Sequence, residues 1–481
     1  MKRKIRRKLF IFILGAACAA AAAVLFWYPV LKFVSGRFSF LNISTEDVYI
    51  DFEYAETEIK DVNGINNGPK SGYDAETDQW KLDATELYRE LEIPYVRIHD
   101  SEYPYGQGKF VDIHCIFPDF SADPENPWSY DFTYTDKYIE AIIQSGAEVV
   151  FRLGESIDHS GENTYINPPE DYMKWAQVCE HIIRHYNEGW ADGYQYGIQY
   201  WEIWNEPDNI KNWTGSLEQY YELYRTSARY LKSLFPEIKI GGYGAGACSE
   251  ENINGFLNFL RADGQETPLD FFSWHTYTNN PADLGRNAEL VQTLLKENGY
   301  ENTESFLDEW NFVEEWEDLG GRKQFIQSTQ GAAFLAASLV TLQNSPVTGA
   351  MYYDGQFVEG DVVWCGLYKE GTEKLPGYAV FQFFNEMKQH GKLADIRAEE
   401  TEGIYCMAAA GDKDYILLAN YNADKPKKAV IKLQYTGDKE TAKITRINEA
   451  SPNGDMKEET WRFHQRTVTV EPGETVCIEL E

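Results

Sequence analysis

Between about residue 46 and residue 390 the chain alternates short strand-like runs with helix-length amphipathic runs, and it does so eight times. The runs with strand character are 48–52, 95–99, 148–153, 199–205, 238–242, 271–275, 305–308 and 349–353. The helical patterns fall at 83–91, 135–145, 172–186, 217–234, 251–262, 284–296, 324–343 and 378–388. Eight strand–helix pairs in one stretch predict a (β/α)8 TIM barrel, in which chemistry gathers at the carboxyl ends of the strands. After residue 393 the grammar changes to β alternation broken by Gly, Asp, Asn and Pro, at 403–409, 414–420, 429–433, 442–447, 467–470 and 475–480. The expected architecture is a catalytic barrel over 35–392 followed by a small C-terminal antiparallel β-sandwich domain over 393–481.

Residues 1–34 read differently. Six basic residues precede an apolar run from Leu9 to Leu31, 23 residues interrupted by Pro29. That length spans a bilayer as a helix, and the bulky Val24–Tyr28 stretch suits an N-terminal membrane anchor better than a cleavage site. The basic flank predicts the N-terminus inside and the body extracytoplasmic, or secreted if the segment is cleaved.

Charge narrows the partners. Of 44 Lys and Arg, seven lie in residues 1–32, leaving 37 against 77 acidic residues in the body. Such an acidic body is a poor match for nucleic acid, whose phosphates are held by Lys and Arg. Neutral sugars remain open. Seven scattered cysteines, with no CxxC and no ligand spacing, indicate neither a metal, a cofactor nor a disulfide framework.

The fourth strand-like run ends in Trp204-Asn205-Glu206-Pro207. Proline cannot continue a ladder, so Asn205 and Glu206 fall at a strand end. A carboxyl beside tryptophans is a candidate acid whose pKa an apolar setting raises. The seventh run ends in Asp308-Glu309-Trp310-Asn311, a second carboxylate beside an aromatic. Barrel geometry brings the two ends to one mouth, and a facing pair of carboxyls is what glycosidic bond cleavage requires. Glu206 fits the acid/base. Glu309 fits the nucleophile, its charged form favoured by Arg97 and Tyr277. Asn205 is placed to hydrogen-bond a sugar hydroxyl, and His99, His275, Tyr352 and Asp354 complete an expected ring of polar strand ends around the same mouth. Taken singly, His99 and His275 are more often satisfied core histidines than ligands, and Arg97 also reads as the partner that neutralises Glu202.

The set resembles glycoside hydrolase family 39, known for β-xylosidases and α-L-iduronidases. The stretches that carry the likeness are Arg97-Ile98-His99, Tyr200 to Pro207, Lys239 to Gly242, Asp270 to Tyr277, Asp308 to Asn311, Cys365-Gly366-Leu367 and Pro376-Gly377-Tyr378, across roughly 90–390. The resemblance implies Glu206 as acid/base, Glu309 as nucleophile, Tyr277 holding the nucleophile, and His99, Asn205 and His275 on the sugar. It also implies net retention, a β-sandwich to which N-terminal residues contribute, and an oligo- or polysaccharide substrate. Asp100, Glu155 and the Tyr352-Tyr353-Asp354 run depart from the family's habit at the mouth, where a tryptophan platform is usual on the eighth strand. The leading expectation is a β-xylosidase-like hydrolase. The alternatives are an endo-acting or transglycosylating relative, and a silent carbohydrate-binding protein.

Overall fold

The computed structural model describes residues 43–74, 76–99, 110–158, 161–162, 164–356, 363–369, 373–398, 402–461 and 464–481. The expected membrane segment and Asp100 lie outside them. Among the described residues no single helix is long and apolar enough to cross a membrane.

Eight parallel strands close into a barrel: Asp61–Asn66, Tyr95–Ile98, Glu148–Leu153, Tyr200–Ile203, Lys239–Ala245, Phe271–Thr278, Glu304–Phe312 and Gly349–Tyr352, each paired with the next and the last with the first. Seven match expected strands. The first does not. The run around Val48–Phe52 is a strand, Ile43–Thr57, but it leaves the barrel and joins the C-terminal sheet. There it pairs antiparallel with Gly391–Ala398 and parallel with Lys428–Tyr435. Its alternating buried and exposed residues suit a sheet with one dry face, whereas Asp61–Asn66 is buried on both faces as a barrel strand must be. The expected 35–392 barrel span is corrected accordingly.

The C-terminal unit is one continuous nine-stranded sheet, curled so that Val48, Ile50, Ile416, Leu418, Ile431, Leu433, Val468 and Ile478 share an interior. Arg446 on one limb donates from Nη1 to the Thr469 carbonyl on the other at 3.0 Å, which shows how far the sheet has closed. It docks on the barrel through Tyr421, packed on Phe334, and Tyr415, packed on Phe383.

The barrel interior is layered. Val150, Tyr200, Phe271, Phe306 and Met351, with Tyr95 against them, form an apolar plug at the amino end. The layer above is charged, with Arg97, Arg152, Glu202 and Asp308 all buried. A β-barrel places alternate residues inward, so the charged layer lies two positions nearer the carboxyl ends than the plug. The expected helix over 324–343 is two helices, Leu319–Ile326 and Thr329–Gln343, bent by 75°. Ser328 makes the break, its Oγ accepting from Gly331 N at 3.2 Å as an N-cap.

Candidate active site

The fourth strand ends in a turn that aims two side chains into the mouth. Trp204 and Glu206 both adopt positive φ, 69° and 41°, on either side of Asn205. Non-glycine residues enter that region at a cost, and such strain concentrates where function fixes the backbone. The turn is over-determined. Trp204 N donates to the Leu153 carbonyl at 2.7 Å, Glu206 N to the Gly244 carbonyl at 2.8 Å, and Tyr220 OH to the Ile203 carbonyl at 2.9 Å. Gly246 leaves the space, since a Cβ there would come within 2.9 Å of the Glu206 carboxyl carbon.

On the seventh strand, pairing with the sixth slips between Leu307 and Glu309. The irregularity lets the consecutive Asp308 and Glu309 both reach the interior, where a regular strand would send one outward. Arg97 binds both strand ends. Its Nε lies 2.7 Å from Glu202 Oε2 and 2.9 Å from Asp308 Oδ2, its Nη1 2.8 Å from Glu309 Oε1, and its Nη2 2.7 Å from Asn205 Oδ1. Tyr277 OH donates to Glu309 Oε2 at 2.8 Å. Glu206 is held from its far side by the Asn209 and Asn212 amides, each 2.9 Å from Oε2.

His275 stands between the carboxyls. Its Nδ1 lies 2.8 Å from Glu206 Oε1 and 3.4 Å from Glu309 Oε2, and its Nε2 3.4 Å from Asp308 Oδ1. One oxygen of Glu206, one of Glu309 and a His275 ring nitrogen all fall within 4.8 Å of one another. This placement reverses the sequence expectation for the two acids. Burial alone would raise the Glu206 carboxyl, but the His275 contact and the Asn209 amide hold it below the ordinary range. Burial raises Glu309 above that range, and His275 and Arg97 recover only part of the shift. Burial opposes protonation of His275, yet the surrounding carboxylates hold its pKa well above that of a free imidazole. Among Glu206, Glu309 and His275, the proton is therefore held first by His275.

Residues 65–389 match the sequence profile of glycosyl hydrolases family 39, two thirds of the chain. The chain belongs to glycosyl hydrolase family 39, a family of glycosidases. It is 26% identical over 241 residues to a β-xylosidase of Geobacillus stearothermophilus, a match covering 44% of this chain and 46% of that enzyme's length. It is 24% identical over 382 residues to a β-xylosidase of Caldicellulosiruptor saccharolyticus, covering 72% of each. A glucosidase of Croceicoccus marinus shares the fold with a TM-score of 0.71 at 21% identity, over 91% of this chain and 99% of that one.

The family 39 barrel gathers most of the expected ring at one mouth. His99 Nε2 is 3.5 Å from Glu309 Oε1 and 3.5 Å from Asn205 Nδ2. Tyr352 is a correction. Because Met351 faces the interior, Tyr352 faces the helices, packed on Phe381 with its hydroxyl on the Trp364 carbonyl at 3.0 Å. The aromatic at the mouth is Tyr353, whose ring lies 6.3 Å from His99 and 6.1 Å from Tyr277. Asp354 accepts from Asn67 Nδ2 at 2.9 Å and ties the eighth strand to the first. The eighth strand itself carries no tryptophan, but the loops after the seventh and eighth strands bring Trp316 and Trp364 within 5.3 and 5.2 Å of Tyr277. Sequence reasoning missed Asn209, Asn212, Gly246 and Asn66, whose Oδ1 accepts from Arg97 Nη1 at 3.2 Å. The dense Asn209-Ile210-Lys211-Asn212 run after Pro207 was the available signal for two of them.

Among the described residues, two groups bring three ligating atoms within 4.8 Å, Glu206–His275–Glu309 and Asp112–His114–Glu155. Each already has a guanidinium on it, Arg97 Nη1 on Glu309 and Arg152 Nη2 on Asp112 at 2.7 Å. A divalent cation would have to compete with that charge.

Proposed function

We propose that the chain is a retaining β-glycosidase of β-xylosidase type, with Glu309 as nucleophile and Glu206 as acid/base. The observation that carries the reading is the common space of the two carboxyls, with oxygens within 4.8 Å. Retaining enzymes hold the pair ~5–5.5 Å apart, while inverting ones need ~6.5–9.5 Å to admit a water.

Glu309 attacks the anomeric carbon as Glu206 protonates the departing oxygen, and the glycosidic C–O bond breaks. Arg97 and Tyr277 each hold one Glu309 oxygen, so the attacking lone pair is oriented before substrate arrives. The proton reaches Glu206 Oε1 from His275 Nδ1 across their 2.8 Å contact. In the second half Glu206 takes a proton from water, which attacks the glycosyl–Glu309 ester and releases the sugar with its configuration retained. His99, Asn205 and Tyr353 supply contacts to the bound sugar. The β-xyloside preference rests on the names of the two curated relatives.

A screen of aryl glycosides with time-resolved NMR of the first product tests the chemistry. The expected result is turnover of the aryl β-xyloside with β-xylose formed first. First-formed α-xylose would establish inversion and remove Glu309 from its role. A fluorosugar that stalls the glycosyl–enzyme should add its mass to the peptide containing Glu309; label on any other residue would reassign the nucleophile.

We propose further that Leu9–Leu31 anchors this catalytic body outside a membrane, supported by the length and basic flank of that run. Membrane fractionation with protease protection tests it. Recovery of the full chain in the soluble fraction would sink it.

A further inference from the structure

A second charged cluster stands at the end of the third barrel strand, beside Glu206. Leu153 and Trp204 are hydrogen-bonded neighbours, and Glu155 and Glu206 each lie two residues beyond them. Adjacent strands run ~4.8 Å apart, so the loop carrying Glu155 forms the mouth wall next to the proposed acid. Glu155 is buried and grips His114 twice, accepting from its backbone N at 3.1 Å through Oε1 and from its ring Nδ1 through Oε2. The turn before His114 is fixed in turn by Asp112, whose Oδ1 accepts from Arg152 Nη2 at 2.7 Å, Ser156 N at 2.9 Å and Ser156 Oγ at 2.7 Å. Burial opposes the charge on His114, but its contacts with Cys115, Glu155 and Asp112 outweigh burial and push its pKa up to about 11.

On the clamped ring lies Tyr165, centroid to centroid 3.6 Å with planes 7° apart. One face of the tyrosine is covered by an imidazolium, and the residue is still 55% exposed. A large exposed aromatic is ordinary. One held flat on a half-buried imidazole that is itself clamped by a buried carboxylate is not, because ordering the ring and burying that charge both oppose folding. The loop that bears it is tied to the loop that holds Glu206. Asp158 N donates to the Lys211 carbonyl at 2.8 Å, and Thr214 N to the Ile166 carbonyl at 3.0 Å. Between those two tethers lies Asn212, one of the two amides on Glu206 Oε2.

We propose that Tyr165 is the platform of a leaving-group subsite, on which the first sugar ring beyond the cleaved bond stacks. The inference rests on Glu206 being the acid, since the group that receives its proton leaves on its side of the mouth. The ligand class is an unsubstituted pyranose, whose apolar C–H face meets the negative face of the tyrosine ring. Asp112, Glu155 and His114 are positioning residues that set the plane of that ring.

The test uses the purified full chain with two substrates, xylobiose and β-xylosyl fluoride. They deliver the same glycosyl group, but fluoride leaves without a ring to stack. Tyr165→Ala should lower the ratio of kcat/KM on xylobiose to that on the fluoride by roughly tenfold. Tyr165→Phe, which keeps the ring, should restore the ratio. An unchanged ratio in Tyr165→Ala, or a Phe variant as poor as the Ala variant, overturns the platform. Loss confined to substrates extended at the non-reducing end also overturns it, since it moves the ring to the other side of the cleaved bond. Fluoride turnover by the unaltered protein separates the two readings. If the fluoride is hydrolysed but the ratio does not move, only the platform falls. If neither substrate is turned over, the catalytic reading falls and takes the platform with it.

Discussion

At the mouth of the barrel Arg97 contacts Glu202, Asp308 and Glu309 directly, with Glu206 a fourth carboxyl nearby and His275 wedged among them. One strand over, Arg152 and His114 meet Asp112 and Glu155. The two clusters are built from the same residue types, but the first holds four acids against two cations and the second two against two. A balanced cluster fixes each partner in one charge state and serves as scaffold. An acid-rich one cannot ionise fully, so its members share protons and their pKa values are driven apart. That is the property an acid/base reaction needs. Charge excess, more than residue identity, separates the cluster proposed to react from the supporting one.

Substitutions in the acid-rich cluster should therefore be costly to chemistry and mild on folding. Glu309→Gln should lose roughly 10^4-fold or more in kcat with its melting temperature nearly kept, as expected for removing a covalent nucleophile. Residual turnover near the starting level would reassign the role. Glu206→Ala should lose roughly 10^2- to 10^4-fold on substrates with poor leaving groups and far less at the first step of activated aryl glycosides. Equal losses on both would remove it as the acid. His275→Asn deletes the cation that lowers Glu309, so the acid limb of the kcat/KM profile should move to higher pH, with a loss on the order of tenfold at the optimum. An unmoved limb would mean that the proton is held elsewhere.

Glu202 shows the same excess as a stability effect. Burial, with Asp308 alongside and Arg97 opposing, pushes its pKa from 4.5 up to about 8. The folded state thus binds this proton more tightly than the unfolded chain. Its contribution is fully present below pH 4.5 and is lost as pH rises through 8. Glu202→Gln keeps the shape without the titration, so its melting temperature should fall less than that of the unaltered chain across that window. Parallel curves would show that Glu202 is ionised throughout.

Much of this was legible in sequence because a barrel strand announces itself by an apolar run with a polar end. Asn205-Glu206 and Asp308-Glu309 are both of that kind. The first strand was not, since Asp61-Val62-Asn63-Gly64-Ile65-Asn66 has only two large apolar residues and Val48–Phe52 alternates more cleanly. The edge strand Ser451–Thr460 is almost wholly exposed and polar, so no dry face marks it. The direction of the Glu206 shift was hidden for a different reason. Its neighbours in sequence are tryptophans, but Trp204 turns away to pack on Trp213 and Trp175. The residue that sets its charge is His275, 69 positions along the chain. Local sequence reports burial well and reports the partner across a barrel poorly.

The sharpest comparison comes from the balanced cluster, where the smallest effect is expected. Glu155→Gln retains an acceptor for the His114 backbone but removes one of the two negative charges. Arg152 and His114 then face Asp112 alone, and the imidazolium loses a partner that raises its pKa. His114 stays charged through neutral pH in the unaltered chain, so the stacked pair does not titrate there. In the variant the charge under Tyr165 is lost at lower pH, and turnover of xylobiose should fall severalfold as pH rises, while xylosyl fluoride, which needs no platform, should not follow it. A loss on the scale of Glu309→Gln, equal on both substrates, would place Glu155 in the reaction itself. Charge balance would then no longer distinguish the two clusters.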